Sequence, residues 1–357
     1  MAVSTTAAPT STNSTSTTTT IPPPRELSLA FAGDILIHTS LWEEAERYAG
    51  GSGYDFSPMF ADVRPLLESV DLAVCHLEVP IAPPGEEPST FPLYGAPREL
   101  VAGIAAAGYD RCSTASNHTL DQGTAGIDAT LAAFDEAGLG QSGMARTPAE
   151  IEPSVFEVNG VSITHLSYTW SFNGLRLPAD QPWRSAEIDP DRIIADAVAA
   201  RAKGAELVIV SMHWGAETVT AVTSTQRRQA EALAASGAID LIVGHHTHVV
   251  QRIEQVNGVW TVFGLGNQLS NHPTRDFFPP SSQDGMIVTV SLTVSADGEV
   301  IVDTPVVHPT WVHRRGGYVI RNVLEALADP ATPRGLRSEL EVSLERTSAV
   351  VGDFVVR

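Results

Sequence analysis

Short, nearly continuous apolar runs alternate along the chain with longer segments of helical periodicity. In the helical segments apolar residues recur every three or four positions, as Ile127, Leu131 and Phe134 do. The apolar runs are rich in Val, Ile, Leu and Ala, which is typical of strands buried on both faces. The clearest of these runs cover residues 27–32, 72–75, 109–113, 207–211 and 239–243. This alternation predicts an α/β protein with mixed sheets and helices outside them.

Turn and capping residues divide the chain further. Capping residues such as Ser57, Thr124 and Ser224 open helical segments, and Gly138 closes one. The predicted helices cover residues 58–70, 98–107, 124–137, 189–203 and 224–235. A second strand-rich region covers residues 154–158, 161–167, 258–263 and 286–294, with a hairpin signal at Asn159-Gly160. We predict one main domain over residues 25–317 and a peripheral extension over 318–357, formed by one helix at 318–327 and a loose second element.

The amino-terminal segment differs in composition from the rest. Residues 1–24 contain the run STNSTSTTTT followed by Ile21 and three prolines. Such a tract cannot bury enough apolar surface to offset its ordering entropy, so we predict a disordered tether. Segments of this kind often follow a removed signal or a lipid-anchored cysteine. We therefore expect an extracytoplasmic, membrane-tethered protein whose leader precedes this chain; a disordered chain end is the alternative.

Charge and cysteine content restrict the function classes. The formal net charge is −20, which repels phosphate backbones and argues against nucleic acid as a partner. The two cysteines, Cys75 and Cys112, lie in runs that resemble buried strands and have no zinc-type spacing. We favour buried free thiols; a disulfide between neighbouring strands is the alternative if the protein is exported.

Five of the predicted strands are followed by side chains that can bind a metal or move a proton. Because sites in open α/β sheets form at the carboxyl ends of strands, these side chains are expected to meet. They are Asp34, Glu78, Asn117, His118, His213, His246 and His248. Carboxylate, imidazole and amide oxygen, without thiolate, suit Mn, Fe or Zn. A carboxylate can bridge two cations, so the set favours two divalent metal ions.

The segment from Gly244 to His248 is the most specific part of this set. It contains three histidines within four residues after a buried strand. Alternate residues of an extended segment face the same way, so we predict that His246 and His248 reach one centre while His245 points elsewhere.

Each of the other residues has a structural alternative. Asp34 could belong to a turn, Glu78 could be a surface acid, and Asn117 could cap a helix. His118 could be a buried structural histidine. We take His38, His76 and His165 as structural or as supports of the site.

The chain resembles the CapA family of poly-γ-glutamate capsule proteins, within the calcineurin-like metallophosphoesterase superfamily. The resemblance covers roughly residues 27–275 and weakens beyond them. It rests on the segments AGDILIHTSL, YDFSPMFADVRPLLESVDLAVCHLEVPIA, TASNHTLDQGTAGIDATL, SYTWSFNG, VSMHWGAE, LIVGHHTHVVQ and FGLGNQLSN, which occur in this order.

The resemblance implies a four-layer α-β-β-α metallophosphoesterase-like sandwich with a binuclear metal centre. The implied ligands are Asp34, Glu78, Asn117, His213, His246 and His248. His118 takes the position of the proton donor, and we predict that Asp121 orients it, unless Asp121 caps a helix instead. This chain departs from the usual pattern at His76, where the family has Asn, and at Thr247, where it has Pro. Glu78 stands where many phosphoesterases have Asp.

These expectations combine into a metal-dependent hydrolase that acts on an envelope polymer such as poly-γ-glutamate, or on a phosphoester, with membrane synthases as partners. Two alternatives stay open. One is a general phosphodiesterase. The other is a non-catalytic envelope module that uses a metal centre for folding or for binding a carboxylate polymer.

Overall fold

Two β-sheets packed face to face form the centre of the protein. The structure, a computed structural model, describes residues 1–4, 23–272 and 278–356; most of the predicted tether lies outside these residues. Within the described ranges, no helix is long and apolar enough to cross a membrane.

The strands range from three to twelve residues in length. They are β1 (Arg25–Leu36), β2 (Leu72–Leu77), β3 (Arg111–Ser113), β4 (Gly140–Ser142), β5 (Phe156–Val158), β6 (Val161–Thr169), β7 (Leu207–His213), β8 (Leu241–His245), β9 (Ile253–Val256), β10 (Val259–Val262), β11 (Asn267–Ser270), β12 (Asp284–Val294), β13 (Val300–Val302), β14 (Val306–His313) and β15 (Val319–Asn322). The helices are α1 (Thr39–Tyr48), α2 (Arg64–Leu67), α3 (Glu99–Ala106), α4 (Gly123–Ala137), α5 (Pro190–Ala202), α6 (Ser224–Ala235), α7 (Val323–Ala328) and α8 (Arg334–Val351).

Both sheets are mixed. The first has nine strands in the order β15-β14-β12-β1-β2-β3-β4, with β11 also paired to β1 and β13 to β12. The second has six strands in the order β5-β6-β7-β8-β10-β9. Each sheet contains a run of parallel strands: β1, β2, β3 and β4 in the first, and β6, β7, β8 and β10 in the second.

Strand alternation separates the core into layers. In β1, Leu29 and Phe31 point into the apolar layer between the two sheets, while Ala30 and Ala32 face the helices outside. In β7, Ile209 belongs to the layer between the sheets, and its neighbours on the strand pack against α5 and α6. Because strands at the centre of the sandwich are covered on both faces, their sequences are apolar almost throughout. The prediction of a four-layer α-β-β-α sandwich is confirmed.

Several predicted elements have different limits in the structure. The helix expected at 58–70 is divided into a 3₁₀ turn at Ser57–Phe60 and the short helix α2. Pro65, in the interior of the expected helix, lacks the backbone N–H that a continuous helix would need and is tolerated only at a helix start, which explains the division. The strand expected at 109–113 shortens to β3.

The two cysteines form a disulfide, so the prediction of free thiols is wrong. Cys75 and Cys112 are directly opposite each other in the parallel ladder between β2 and β3, and their Cα atoms are 4.4 Å apart. Such a distance allows a disulfide without movement of the backbone. The sequence could not choose between the two states because it does not contain the strand register.

The carboxyl-terminal segment is more ordered than the sequence suggested. Residues 319–322 form β15 at the edge of the first sheet, and the expected loose element is the 18-residue helix α8. Arg346 on α8 binds Asp284 with two hydrogen bonds of 2.6 Å, and Ser343 donates a third to the same carboxylate. Leu340 packs against Trp311. Thus α8 covers β12 and β14.

Candidate metal centre

The carboxyl ends of the parallel strands meet at one edge of the sandwich. In the first sheet Asp34 is paired in register with His76, and His76 with Ser113. In the second sheet His213 is paired with His245. The backbone N–H of His246 donates to Asp34 Oδ2 at 3.1 Å, which connects the two sheets directly. The seven predicted site residues therefore lie on loops and strand ends that the fold brings together.

Two buried carboxylates form the floor of the site. Asp34 and Glu78 are both 0% exposed, so the reading of Glu78 as a surface acid is excluded. Asp34 Oδ1 and both carboxylate oxygens of Glu78 have no hydrogen-bond partner among the described residues. Burial raises the pKa of Glu78 well above its usual value. Buried ionised carboxylates require a compensating charge, and a bound cation supplies it.

His246 and His248 both face the site, but their backbone conformation differs from the one we predicted. His246 and His248 both adopt positive φ values, 86° and 55°, so the segment after β8 is a tight turn and not an extended strand. Burial lowers the pKa of His246 to about 3, which favours the neutral imidazole that binds metals. Its Nδ1 has no partner among the described residues. His248 Nδ1 lies 3.0 Å from Asn267 Oδ1, while its Nε2 lies 3.6 Å from Glu78 Oε1.

A hydrogen-bonded chain of imidazoles orients His213. His213 Nδ1 lies 2.9 Å from His76 Nε2, and His76 Nδ1 lies 2.8 Å from Ser113 Oγ. If His76 donates to Ser113, His213 donates to His76, and His213 Nε2 is left free to bind a cation. That atom lies 2.9 Å from Asn117 Oδ1 and 3.9 Å from Glu78 Oε1. His76 is therefore a supporting residue, as the sequence indicated.

His118 and Asp121 form a pair on the wall of the cleft. His118 Nδ1 lies 2.7 Å from Asp121 Oδ2, which also accepts a hydrogen bond of 2.8 Å from the Tyr94 backbone. Asp121 thus contacts the ring of His118, and its role in orienting a proton donor stays a prediction. The alternative role of Asn117 as a helix cap does not apply, because α4 begins at Gly123 with Gln122 as its cap residue. The side chain of Asn117 is instead held by Asn173.

Two side chains that lie at the site, Glu217 and His245, were not predicted to lie there from the sequence. Glu217 follows β7, and its carboxylate lies within 4.8 Å of the ligand atoms of both His246 and His248. The motif that contains Glu217 is visible in the sequence, but its proximity to the turn after β8 is not. His245 does not point away from the site as we expected. Its Nδ1 lies 3.3 Å from Asp34 Oδ1, and its ring stacks on His76.

The donor atoms form groups that could hold a divalent cation. One group of donor atoms belongs to Asp34, Glu78 and His248, and another to Glu78, His213 and His246. Glu78 belongs to both groups. A cleft of about 370 Å³ opens above them and is lined by residues that include Asn117, His118, Asp121, Glu217 and His248. The structure brings together all six predicted metal ligands and the His118–Asp121 pair that is predicted to supply a proton.

The four-layer sandwich is the metallophosphoesterase-like fold that the sequence predicted. A similar fold occurs in the NAD nucleotidase (NadN) of Haemophilus influenzae, with a TM-score of 0.50 at 14% identity over 93% of this chain and 64% of that chain. The family model described as "Bacterial capsule synthesis protein PGA_cap" matches residues 28–272. The chain belongs to this family, as the resemblance seen in the sequence implied.

Two curated relatives are similar over the same region. The capsule biosynthesis protein CapA of Bacillus anthracis is 29% identical over 252 residues, which cover 68% of this chain and 59% of the relative. The PGA biosynthesis protein CapA of Bacillus subtilis (strain 168) is 29% identical over 246 residues, covering 68% of this chain and 62% of the relative. The matched region thus accounts for about three fifths of each of these relatives.

Proposed function

We propose that this protein is a metal-dependent hydrolase that acts in the biosynthesis of a capsule or cell-envelope polymer, with poly-γ-glutamate as the substrate class. The observation that carries the proposal is the group of buried, unpartnered donors of Asp34, Glu78 and His246 beneath a cleft whose wall holds the His118–Asp121 pair. The family membership and the names of the relatives support the polymer.

The proposed centre holds two divalent ions, Mn, Fe or Zn, through Asp34, Glu78, Asn117, His213, His246 and His248. Such ions act as Lewis acids and lower the pKa of a coordinated water. The chain supplies the rest. Asp121 holds the His118 ring, and His118 protonates the departing oxygen or nitrogen of the substrate.

We also propose an extracytoplasmic location with membrane synthases as partners. The disulfide between Cys75 and Cys112 supports this location, because disulfides persist in oxidising compartments. The net charge of −20 disfavours a long polyanion on most of the surface. A carboxylate polymer would therefore bind mainly at the cations in the cleft.

The test is hydrolysis of bis(p-nitrophenyl) phosphate and of a γ-glutamyl anilide by the Mn²⁺-loaded protein. We expect the amide to be cleaved, and His118→Ala to lower kcat about 100-fold or more while the metal content stays unchanged. The matched control is His308→Ala, which changes a histidine on β14 that binds Thr289 outside the cleft.

Three results would change the proposal. Loss of metal in His118→Ala would make His118 a ligand. Cleavage of the phosphodiester alone would favour a general phosphodiesterase. Absence of both activities in the wild type, with metal bound, would favour a non-catalytic module that binds a carboxylate polymer.

A further inference from the structure

A third acidic side chain faces the metal-binding turn. Glu217 lies on the loop after β7, is half-buried and lines the cleft. One of its carboxylate oxygens lies within 4.8 Å of a ring nitrogen of His246 and of one of His248. These two histidines belong to different donor groups of the centre, so Glu217 is adjacent to both cation positions.

The loop that carries Glu217 is fixed to the same turn. The backbone N–H of Thr218 donates to the carbonyl of Thr247 at 2.8 Å, between the two histidines in sequence. The side chain of Gln251, which is 0% exposed, donates to the carbonyl of Val219 at 2.8 Å. Gln226 on α6 donates in turn to Gln251 at 2.7 Å. The position of Glu217 relative to the histidines is therefore set by several hydrogen bonds on buried groups.

In the parts of the chain that the structure describes, no hydrogen bond or ion pair to the Glu217 side chain is formed. Two further carboxylates, Asp34 and Glu78, lie in the same site with unpartnered oxygens. Three acids in one cleft repel each other unless cations lie between them. The unpartnered buried oxygens indicate where those cations bind.

The two groups of metal-donor atoms also differ in how many protein side chains they contain. The group around His213 and His246 gains Asn117 as a fourth donor, since Asn117 Oδ1 lies 2.9 Å from His213 Nε2. The group of Asp34, Glu78 and His248 offers three protein donors. An additional oxygen on the cleft side would complete it, and the Glu217 carboxylate lies within 4.8 Å of a ring nitrogen of His248, which belongs to that group.

We propose that Glu217 is a further ligand of the metal centre, on the side that opens to the cleft. The inference rests on the proposed metal centre. It has a consequence for substrate choice. With Glu217, three carboxylates offset the charge of two divalent cations, and the added negative charge lies where a phosphate dianion would bind. The site is therefore better suited to a neutral scissile group, such as an amide, than to a phosphate.

The test measures Mn²⁺ binding by calorimetry and by electron paramagnetic resonance in the wild type, Glu217→Gln and the control Glu231→Gln, which changes an exposed acid on α6. We expect Glu217→Gln to weaken binding of at least one Mn²⁺ about 10-fold or more, because a lost metal contact has at least the effect of a lost supporting contact. The thermal midpoint of the metal-free protein should be unchanged, and so should Mn²⁺ binding by the control.

A second readout is the affinity of the Mn²⁺-saturated protein for inorganic phosphate. We expect Glu217→Gln to bind phosphate more tightly than the wild type, by about 10-fold, which corresponds to removal of one nearby negative charge. Equal Mn²⁺ affinity in wild type and Glu217→Gln would overturn the inference and leave the proposed function intact. A wild type that binds no Mn²⁺ would instead overturn the proposed metal centre itself.

Discussion

Two buried polar groups in this protein both contain histidine, but they differ in whether their polar atoms have hydrogen-bond partners. The cleft group consists of Asp34, Glu78, His246 and His248 at the strand ends. The inner group consists of Arg111, His165 and Ser211, between the two sheets. Members of both groups are largely excluded from solvent. In the cleft group, Asp34 Oδ1, both Glu78 carboxylate oxygens and His246 Nδ1 have no hydrogen-bond partner among the described residues, whereas the inner group is connected throughout.

The inner group shows what a structural buried histidine looks like. Arg111 Nε donates to His165 Nδ1 at 3.2 Å, and His165 Nε2 lies 2.9 Å from Ser211 Oγ. The guanidinium also stacks over Phe156 at 3.9 Å from the ring centre. Burial lowers the pKa of Arg111 to about 10 and lowers that of His165 well below its usual value. Hydrogen-bond partners, and not burial or residue type, distinguish the proposed ligand His246 from the structural histidine His165.

The largest effect is expected for the stabilisation by Mn²⁺ of the wild type compared with that of Glu78→Gln. Two ions at about 100 times their dissociation constants should stabilise the wild type by about 5 kcal/mol. Glu78→Gln should lose most of that gain, because Glu78 belongs to both donor groups. In chelator the variant should be at least as stable as the wild type, since it no longer buries an unpaired acid. Urea unfolding with and without Mn²⁺ measures both effects.

A lower stability of Glu78→Gln in chelator would contradict this account. It would mean that Glu78 already has a favourable partner in the folded chain. Asp110→Asn is a suitable control, because Asp110 accepts a backbone hydrogen bond from Ala73 outside the cleft. Its effect should not depend on Mn²⁺.

The variant His165→Phe tests the inner group. The change leaves Arg111 Nε and the Ser211 hydroxyl without their partner, which should cost about 2 kcal/mol. The cost should be the same with Mn²⁺ and with chelator, as urea unfolding at pH 8 would show. A cost that disappears on Mn²⁺ addition would place His165 in the metal centre.

Acid should reduce the effect of the same variant. The folded-state pKa of His165 is depressed by burial, so below about pH 6.5 the unfolded chain binds a proton that the folded chain does not. The wild type therefore loses stability through this group as the pH falls, by about 2 kcal/mol at pH 5. His165→Phe lacks this loss, and its difference from the wild type should be close to zero at pH 5.

The smallest effect is expected for His76→Asn. This variant tests a residue that shares features of both the cleft group and the inner group. His76 has internal partners like the inner group, but one of them is the proposed ligand His213. A shorter amide cannot reach both Ser113 and His213, so His213 should lose its fixed orientation. We expect about 10-fold weaker Mn²⁺ binding, or about 1.4 kcal/mol, at the position held by His213. Calorimetry would measure it, and unchanged affinity would limit His76 to packing.

Much of the site could be predicted because ligands follow strands in the sequence itself. The apolar runs before Asp34, His213 and His246 marked the strand ends, and parallel strands present their carboxyl ends at one edge. The prediction of an extended backbone at His246 and His248 was wrong. His246 and His248 converge because the turn has positive φ values, and not because an extended segment alternates.

Partners that come from distant parts of the chain could not be predicted. Glu217 is adjacent to His246 only because the loop after β7 binds the turn after β8. The pairing of Cys75 with Cys112 depends on the register of β2 and β3. The packing of α8 depends on Asp284, which is 62 residues from Arg346 in sequence.

The layered α/β class, the family and the residue types available to a metal could all be predicted from the amino-acid sequence. This was possible because apolar periodicity and the residues after each strand are local properties of the chain. Only the tertiary structure decided which buried polar atoms find a partner. That outcome depends on contacts between segments far apart in sequence. It distinguishes the unpartnered donors of Asp34, Glu78 and His246 from the hydrogen-bonded His165.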